Sequence, residues 1–175
     1  VGAFPADGGS PRALAAADVD ADGDVDLLFG LWVQPSRLYF NDGSGRFAEV
    51  PGAWPPNVFN TKALAFADLD LDGDPDAITA DDAGVHVHAN SNDGHFGAAQ
   101  DVASASTCVH RLWTGDVDLD GDPDVLARCS GVVYVLKTAT NGLPGFAQQL
   151  AVGGFGSSEL IDIDRDGDLD VVSST

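Results

Sequence analysis

The chain has 175 residues, 44% of them hydrophobic, which is enough for one domain around a real core and too apolar for a disordered chain. Its 28 acidic residues against 8 basic ones give a formal net charge of −20, and a surface of that sign repels nucleic acid and anionic membranes alike. Nucleic acid is therefore not expected as a partner.

At the amino end, no basic segment leads into an apolar stretch at Val1, and no run anywhere approaches the roughly 18 to 20 apolar residues of a membrane-spanning helix. Membrane insertion is not expected. With no methionine in the sequence, the chain is expected to begin downstream of a processing boundary. From Arg12 to about Asn57 the pattern is an apolar run (Ala13 to Ala17), an acidic segment, a second apolar run (Val25 to Val33) and a turn at Gln34, Pro35 and Ser36. A third strand is predicted from Arg37 to Phe40, a turn over Asn41, Asp42, Gly43, Ser44 and Gly45, and a fourth strand from Arg46 to Val50. The second unit repeats the plan, with Gly84 to Ala89 as third strand, a turn over Ser91, Asn92, Asp93 and Gly94, and His95 and Phe96 opening the fourth. The third has Val132 to Leu136, then Asn141 and Gly142, then Gly145 and Phe146. Asn-Gly and Asp-Gly are strong hairpin signals. Four short antiparallel strands in each period of about 40 to 50 residues are the signature of a propeller blade.

The acidic segments align without gaps: DVDADGDVD (Asp18 to Asp26), DLDLDGDPD (Asp68 to Asp76), DVDLDGDPD (Asp116 to Asp124) and DIDRDGDLD (Asp162 to Asp170). Their first aspartates are 50, 48 and 46 residues apart. The twenty aspartates are Asp18, Asp20, Asp22, Asp24 and Asp26; Asp68, Asp70, Asp72, Asp74 and Asp76; Asp116, Asp118, Asp120, Asp122 and Asp124; and Asp162, Asp164, Asp166, Asp168 and Asp170. Outside these segments eight acids face seven Lys and Arg residues, a formal charge of −1. The acidity is thus local, which argues against a salt-adapted acidic coat.

Five carboxylates within nine residues repel one another unless a cation neutralises them or water screens them. Calcium takes about six to eight oxygen ligands in flexible geometry, and a D-x-D-x-D-G-x-x-D loop offers them. The side chains at positions 1, 3, 5 and 9 and the backbone carbonyl at position 7 are the expected ligands. The glycine at position 6 (Gly23, Gly73, Gly121, Gly167) permits the sharp turn. Four calcium sites are expected. Magnesium demands near-octahedral geometry, and zinc prefers His or Cys. An EF-hand requires Glu at position 12, where this chain has Phe29, Thr79, Ala127 and Ser173. The nonapeptide β-roll repeat has too short a period.

The acidic loop, followed by the sequence LYFNDGSGRF from Leu38 to Phe47, resembles the FG-GAP or VCBS repeat, the blade unit of integrin α-subunit propellers and of many extracellular proteins. That resemblance implies an all-β propeller with calcium in the loop joining the first two strands of each blade, in a secreted or cell-surface protein. The third unit departs from the turn pattern, with NGLPGF from Asn141 to Phe146. About 3.5 blades are expected: 12–60, 61–109, 110–156 and a partial 157–175, with 1–11 as an outer strand completing another blade. VGAFP from Val1 to Pro5 is similar to the fourth-strand segments. Three readings stay open for the ends: a four-bladed ring with one incomplete blade, a fragment of a larger propeller, or a protomer that self-associates through open sheet edges.

Outside the loops, Cys108 and Cys129 flank the third acidic segment and are expected to form a disulfide, with Cys129 nearly opposite Arg111. His86 and His88 point to one face of a strand and are expected to be the polar side of a half-exposed strand, with a metal pair as the alternative. Of Trp32, Trp54 and Trp113, the last is expected in the core, and Trp54, in the connection AWPPN, is the candidate for a ligand surface. No nucleophile elbow, phosphate loop or zinc signature is present, so no active site is expected. The leading expectation is a non-enzymatic, calcium-binding extracellular module for adhesion, recognition or self-assembly, whose partner is another protein or a glycan at the cell surface or matrix. The alternatives are a carbohydrate-binding lectin and, behind it, the accessory propeller of a polysaccharide-degrading enzyme.

Overall fold

The apolar runs on either side of each acidic segment are short and rich in small or β-branched residues, and they pair as antiparallel strands. The computed structural model describes residues 10–56, 60–102, 108–130, 132–139, 144–151, 158–165 and 170–173. The first sheet takes β1 (Ser10–Ala17), β2 (Asp26–Trp32), β3 (Arg37–Asn41) and β4 (Phe47–Glu49) in chain order. The second takes β5 (Ala63–Ala67), β6 (Asp76–Ala80), β7 (Val85–His88) and β8 (Gln100–Asp101), and the third β9 (Arg111–Gly115), β10 (Asp124–Cys129), β11 (Val132–Thr138) and β12 (Pro144–Ala151). A last hairpin joins β13 (Ser158–Ile161) to β14 (Asp170–Ser173). All pairings are antiparallel.

One register recurs in every unit: the residue before the acidic segment pairs with that segment's ninth residue, as Ala17 with Asp26, Ala67 with Asp76, Gly115 with Asp124 and Ile161 with Asp170. A one-residue slip would turn each strand's apolar set to the wrong face, so this register places all four acidic loops at equivalent ends of their hairpins.

The sheets stack face to face. Leu28, Leu38, Ala53 and Val19 of the first unit meet Leu64, Ala77 and Phe96 of the second. On the opposite face of the second sheet, Ile78, Val85 and Val87 meet Val109, Leu112, Val125 and Leu136 of the third. The alternation of Ala77 and Ile78 along β6 thus serves two cores, and every residue of β6 and β7 is buried. The first strands of successive sheets are neighbours, β1 beside β5 and β5 beside β9, and the Thr114 hydroxyl donates to the Phe66 carbonyl at 3.1 Å. Fully burying a side chain such as Ile78 or Leu28 contributes about 1.5–3 kcal/mol.

Several boundaries differ from the sequence expectation. β1 starts at Ser10, two residues ahead of Arg12, through an irregularity between Pro11 and Ala13. In the second sheet the fourth strand shrinks to Gln100–Asp101, and Phe96 forms only an isolated bridge with Asn90, because Phe96 is drawn inward to pack on Trp54 and Phe66. Val1 to Pro5, Asn141, Gly142, Asp166, Gly167 and Asp168 lie outside the described residues.

Candidate metal centres

Each acidic loop is shaped by its own carboxylates accepting backbone N–H bonds. At position 1, one oxygen accepts from the turn glycine: Gly23 to Asp18, Gly73 to Asp68 and Gly121 to Asp116, each at 3.0 Å. The position 5 carboxylate accepts from the residue two on, as Asp24 to Asp22 at 2.9 Å and Asp74 to Asp72 and Asp122 to Asp120 at 3.1 Å. Gly23, Gly73 and Gly121 have φ of +94°, +102° and +97°, a region that an L side chain rarely adopts.

A left-handed residue also stands two positions ahead of the glycine in every loop. Ala21, Leu71, Leu119 and Arg165, at position 4, have φ between 58° and 64°. An L residue in this region costs roughly 1–2 kcal/mol, and the cost is met once in each of the four acidic loops. The repeated conformation lets the carboxylates before and after it turn to one point.

That convergence is specific. One carboxylate oxygen from each of Asp18, Asp20 and Asp22 lies within 4.8 Å of the others, and so for Asp68, Asp70 and Asp72, for Asp116, Asp118 and Asp124, and for Asp162, Asp164 and Asp170. Two oxygens bound to one calcium at about 2.4 Å are at most about 4.8 Å apart. The second oxygens of Asp18 and Asp116 are shielded from solvent and accept no hydrogen bond. A buried carboxylate oxygen without a donor costs about 1–3 kcal/mol, and a cation at the point of convergence would remove that cost. The donor set is all oxygen, so the chemistry suits a hard cation of calcium's size.

Position 9 has a role the sequence did not reveal. Both oxygens of Asp26 are engaged by backbone, accepting from Val19 N–H at 3.0 Å and Asn41 N–H at 2.9 Å. Asp76 accepts from Leu69 at 3.2 Å and Asn90 at 2.9 Å, and Asp124 from Val117 at 3.2 Å and Thr138 at 3.0 Å. In the fourth loop Asp170 accepts from Ile163 at 3.1 Å. This carboxylate therefore ties loop position 2 to the end of the third strand in the first three units. The residue at the end of the third strand, or two past it in the second unit, returns the contact, since the side chains of Asn41, Asn90 and Thr138 each donate to the position 8 carbonyl, of Val25, Pro75 and Pro123. Asn90 also donates to the Val19 carbonyl at 2.8 Å, coupling the second unit's turn to the first unit's loop.

The charges are held at a disadvantage. Burial pushes the Asp76 carboxyl up to about 6 against hydrogen bonds from Asn90 and Leu69, with repulsion from Asp70 and Asp72 adding to the rise. Burial likewise raises Asp26 and Asp124. For Asp20 and Asp70, burial is followed by repulsion from Asp22 and Asp72. In the third loop the Lys137 ammonium of β11 pairs with Asp118 and holds its carboxyl below the ordinary range.

The residues outside the loops are placed as follows. Cys108 and Cys129 form a disulfide with a Cα separation of 5.1 Å. The strand partner of Arg111 is Arg128, one residue from the expected Cys129, and His110 N–H donates to Arg128 O at 2.9 Å, so the chain reaches Cys108 just beyond the hairpin. His86 and His88 are buried, at 4% and 1% exposure, not the polar side of a half-exposed strand. β7 lies in the middle sheet and is covered on both faces. His86 bonds Asp101 at 2.8 Å and Asp81 at 3.2 Å, while His88 bonds the Gly97 carbonyl at 3.1 Å and Thr79 at 3.4 Å. Trp54 is 8% exposed and packs on His88 and Phe96 at ring distances of 4.6 and 5.3 Å. It is a core residue, not an open stacking platform, although it floors an open cleft of about 360 Å³ with Arg37, Glu49, Val50 and Pro56 around it. Trp113 is half-buried beside Leu126 and Val133, and Arg111 lies over its ring at 5.1 Å.

Stacked four-stranded antiparallel sheets, each with an acidic loop between its first two strands, define a blade-type β-repeat protein. The chain belongs to the FG-GAP-like repeat family, whose profile matches residues 31–79 and 68–127, together more than half of the sequence. No curated protein matches it in sequence. Among solved structures, a lectin of Agrocybe aegerita, described for its specific recognition of non-reducing terminal N-acetylglucosamine, is similar over 89% of this chain with a TM-score of 0.66 and 19% identity. The chain spans 45% of the length of that lectin, and at this identity the likeness is one of fold.

Proposed function

We propose that the chain is a calcium-stabilised propeller segment acting as a non-enzymatic recognition module outside the cell. The observation that carries the reading is the convergence of three carboxylates within 4.8 Å in each of four loops, together with the oxygens of Asp18 and Asp116 that are buried and lack a donor. Asp18, Asp20 and Asp22 would hold the first ion and Asp68, Asp70 and Asp72 the second, with Asp26 and Asp76 behind them, while Asp116, Asp118 and Asp124 would hold the third and Asp162, Asp164 and Asp170 the fourth. Calcium supplies charge neutralisation only. The chain's own residues form the turn, shield the oxygens from water and fasten the loop to the third strand. Membership of the repeat family, an oxidised cysteine pair and calcium's abundance outside cells support an extracellular setting. The sheets would be blades of a propeller, with units close to 12–60, 61–109, 110–156 and 157–175.

The test is thermal unfolding in calcium and in chelator. A ligand at about one hundred times its Kd adds about 2.7 kcal/mol, and for a domain of this size each kcal/mol moves Tm by roughly 2–4 °C. One saturated site alone is worth about 5–10 °C by the same arithmetic, so chelation lowers Tm by at least that much. An unchanged Tm rejects calcium binding.

A lectin reading is favoured by the cleft over Trp54 and by the sugar-binding structural neighbour. Its polar wall is the Arg37–Glu49 pair, 3.6 Å apart. Because Trp54 belongs to the core, Arg37→Ala and Glu49→Gln are the informative substitutions, read on a glycan array. A wild-type chain that binds no glycan in calcium rejects this reading.

A further inference from the structure

The third acidic loop differs from the first two in having a cation of its own. Thr138 is the third-strand residue that donates to the position 9 carboxylate, as Asn41 and Asn90 do in the units before it. The residue just ahead of it is therefore at an equivalent place in all three: Phe40, Ala89 and Lys137. Phe40 and Ala89 bring no charge to their loops. Lys137 extends from β11 to Asp118, the position 3 carboxylate, and its ammonium pairs with an oxygen of that side chain. Asp118 is one of the three carboxylates that converge in this loop, with Asp116 and Asp124.

The same hairpin is fastened at its other end by a covalent bond. Cys108 precedes β9 and Cys129 ends β10, and the disulfide between them closes the end of the hairpin away from the acidic loop. It is the chain's one cysteine pair. The third unit thus carries an internal counter-ion at the loop and a covalent tie at the opposite end.

Resting on the proposal that the loops bind calcium, we infer that Lys137 sets the third loop apart as a weak, lysine-competed calcium site. Calcium entering this loop meets a monovalent charge already paired with one of its ligands, and must displace the ammonium or bind beside it. The first two loops fill first, and the third fills only at higher calcium. The disulfide keeps the third hairpin closed while its loop holds no metal.

The experiment is calorimetric calcium titration of the full chain, its Lys137→Met and Lys137→Arg variants, and Asp116→Asn, which identifies the step belonging to the third loop. Removing a unit positive charge about 4 Å from a divalent ion, in a solvent-screened site, tightens binding roughly five- to twenty-fold. In the wild type, the step lost in Asp116→Asn is the weakest of the first three. In Lys137→Met that step moves to about five- to twenty-fold lower calcium while the others stay in place, and Lys137→Arg keeps it weak. The inference is overturned if Lys137→Met changes that step by less than twofold, or if Asp116→Asn removes a tight step. If no loop titrates at all, calcium binding itself fails and the role of Lys137 falls with it, an outcome distinct from tight binding at the third loop.

Discussion

Asp76 offers the sharpest perturbation, because its carboxylate serves the fold and the charge balance in opposite senses. It is 4% exposed and accepts from the backbone amides of Leu69 and Asn90. Asp76→Ala leaves both amides buried without an acceptor, at about 1–3 kcal/mol each, or roughly 2–6 kcal/mol together. Against this stands the charge. The folded-state carboxyl is raised from 3.8 to about 6, so its favourable contribution is complete below about pH 4 and is lost as pH rises through about 6. At about 1.36 kcal/mol per pH unit, the calcium-free wild type loses about 3 kcal/mol across that window. The alanine variant has no such charge and escapes the loss. In chelator the substitution is therefore about 3 kcal/mol less damaging at pH 7.5 than at pH 4. In saturating calcium at pH 7.5 the ion offsets the charge, and the substitution costs the full roughly 2–6 kcal/mol of the two amides. Urea unfolding under the three conditions measures all of this. Equal costs at pH 4 and pH 7.5 in chelator, or a cost below about 1 kcal/mol in calcium, would show that the Asp76 carboxylate plays neither part.

Other outcomes follow from the same geometry. Asp22, at position 5, is exposed, so Asp22→Ala in chelator stays within about 0.5 kcal/mol of wild type, while in calcium it removes one bound ion from the first loop; loss of more than one ion by calorimetry would contradict independent sites. Gly94 has φ of +72°, and an added Cβ would overlap the Phe40 ring, so Gly94→Ala is expected to destabilise by more than about 2 kcal/mol. Gly45→Ala, with φ of +79° but open space around the position, costs only about 1–2 kcal/mol; equal losses would show that packing against Phe40 is unimportant. The cysteines are separated by 21 residues, and replacing both with serine is expected to cost about 3 kcal/mol by the chain-entropy relation. Denaturant unfolding of the double variant tests this.

What could be read from the residues was what repetition makes visible. Four aligned acidic segments fixed the loop positions, the glycine at position 6 and the antiparallel hairpins on either side. Position 4 was not legible. Ala21, Leu71, Leu119 and Arg165 share a left-handed backbone but no side-chain chemistry, because the surrounding carboxylate to N–H bonds impose the conformation. Nor was the part played by Asp26, Asp76 and Asp124 as ties to the third strand, since an aspartate among aspartates gives no sign of whether it faces a metal or two amides. Asn41 and Asn90 read only as turn residues, although they clamp the loop. His86 and His88 read as the polar side of a half-exposed strand, because polarity along one strand cannot report that neighbouring sheets cover both faces. Asp81 and Asp101, which satisfy His86, come from the turn before β7 and from β8, and only the fold brings them to it.

The most direct measurement of the central claim is the number of calcium ions bound per chain, by equilibrium dialysis with metal analysis in a large excess of magnesium. Four ions are expected, with one lost in each of Asp18→Asn, Asp68→Asn, Asp116→Asn and Asp162→Asn. A chain that binds none, or gives up its calcium to magnesium, would contradict the assignment of the acidic loops as calcium sites.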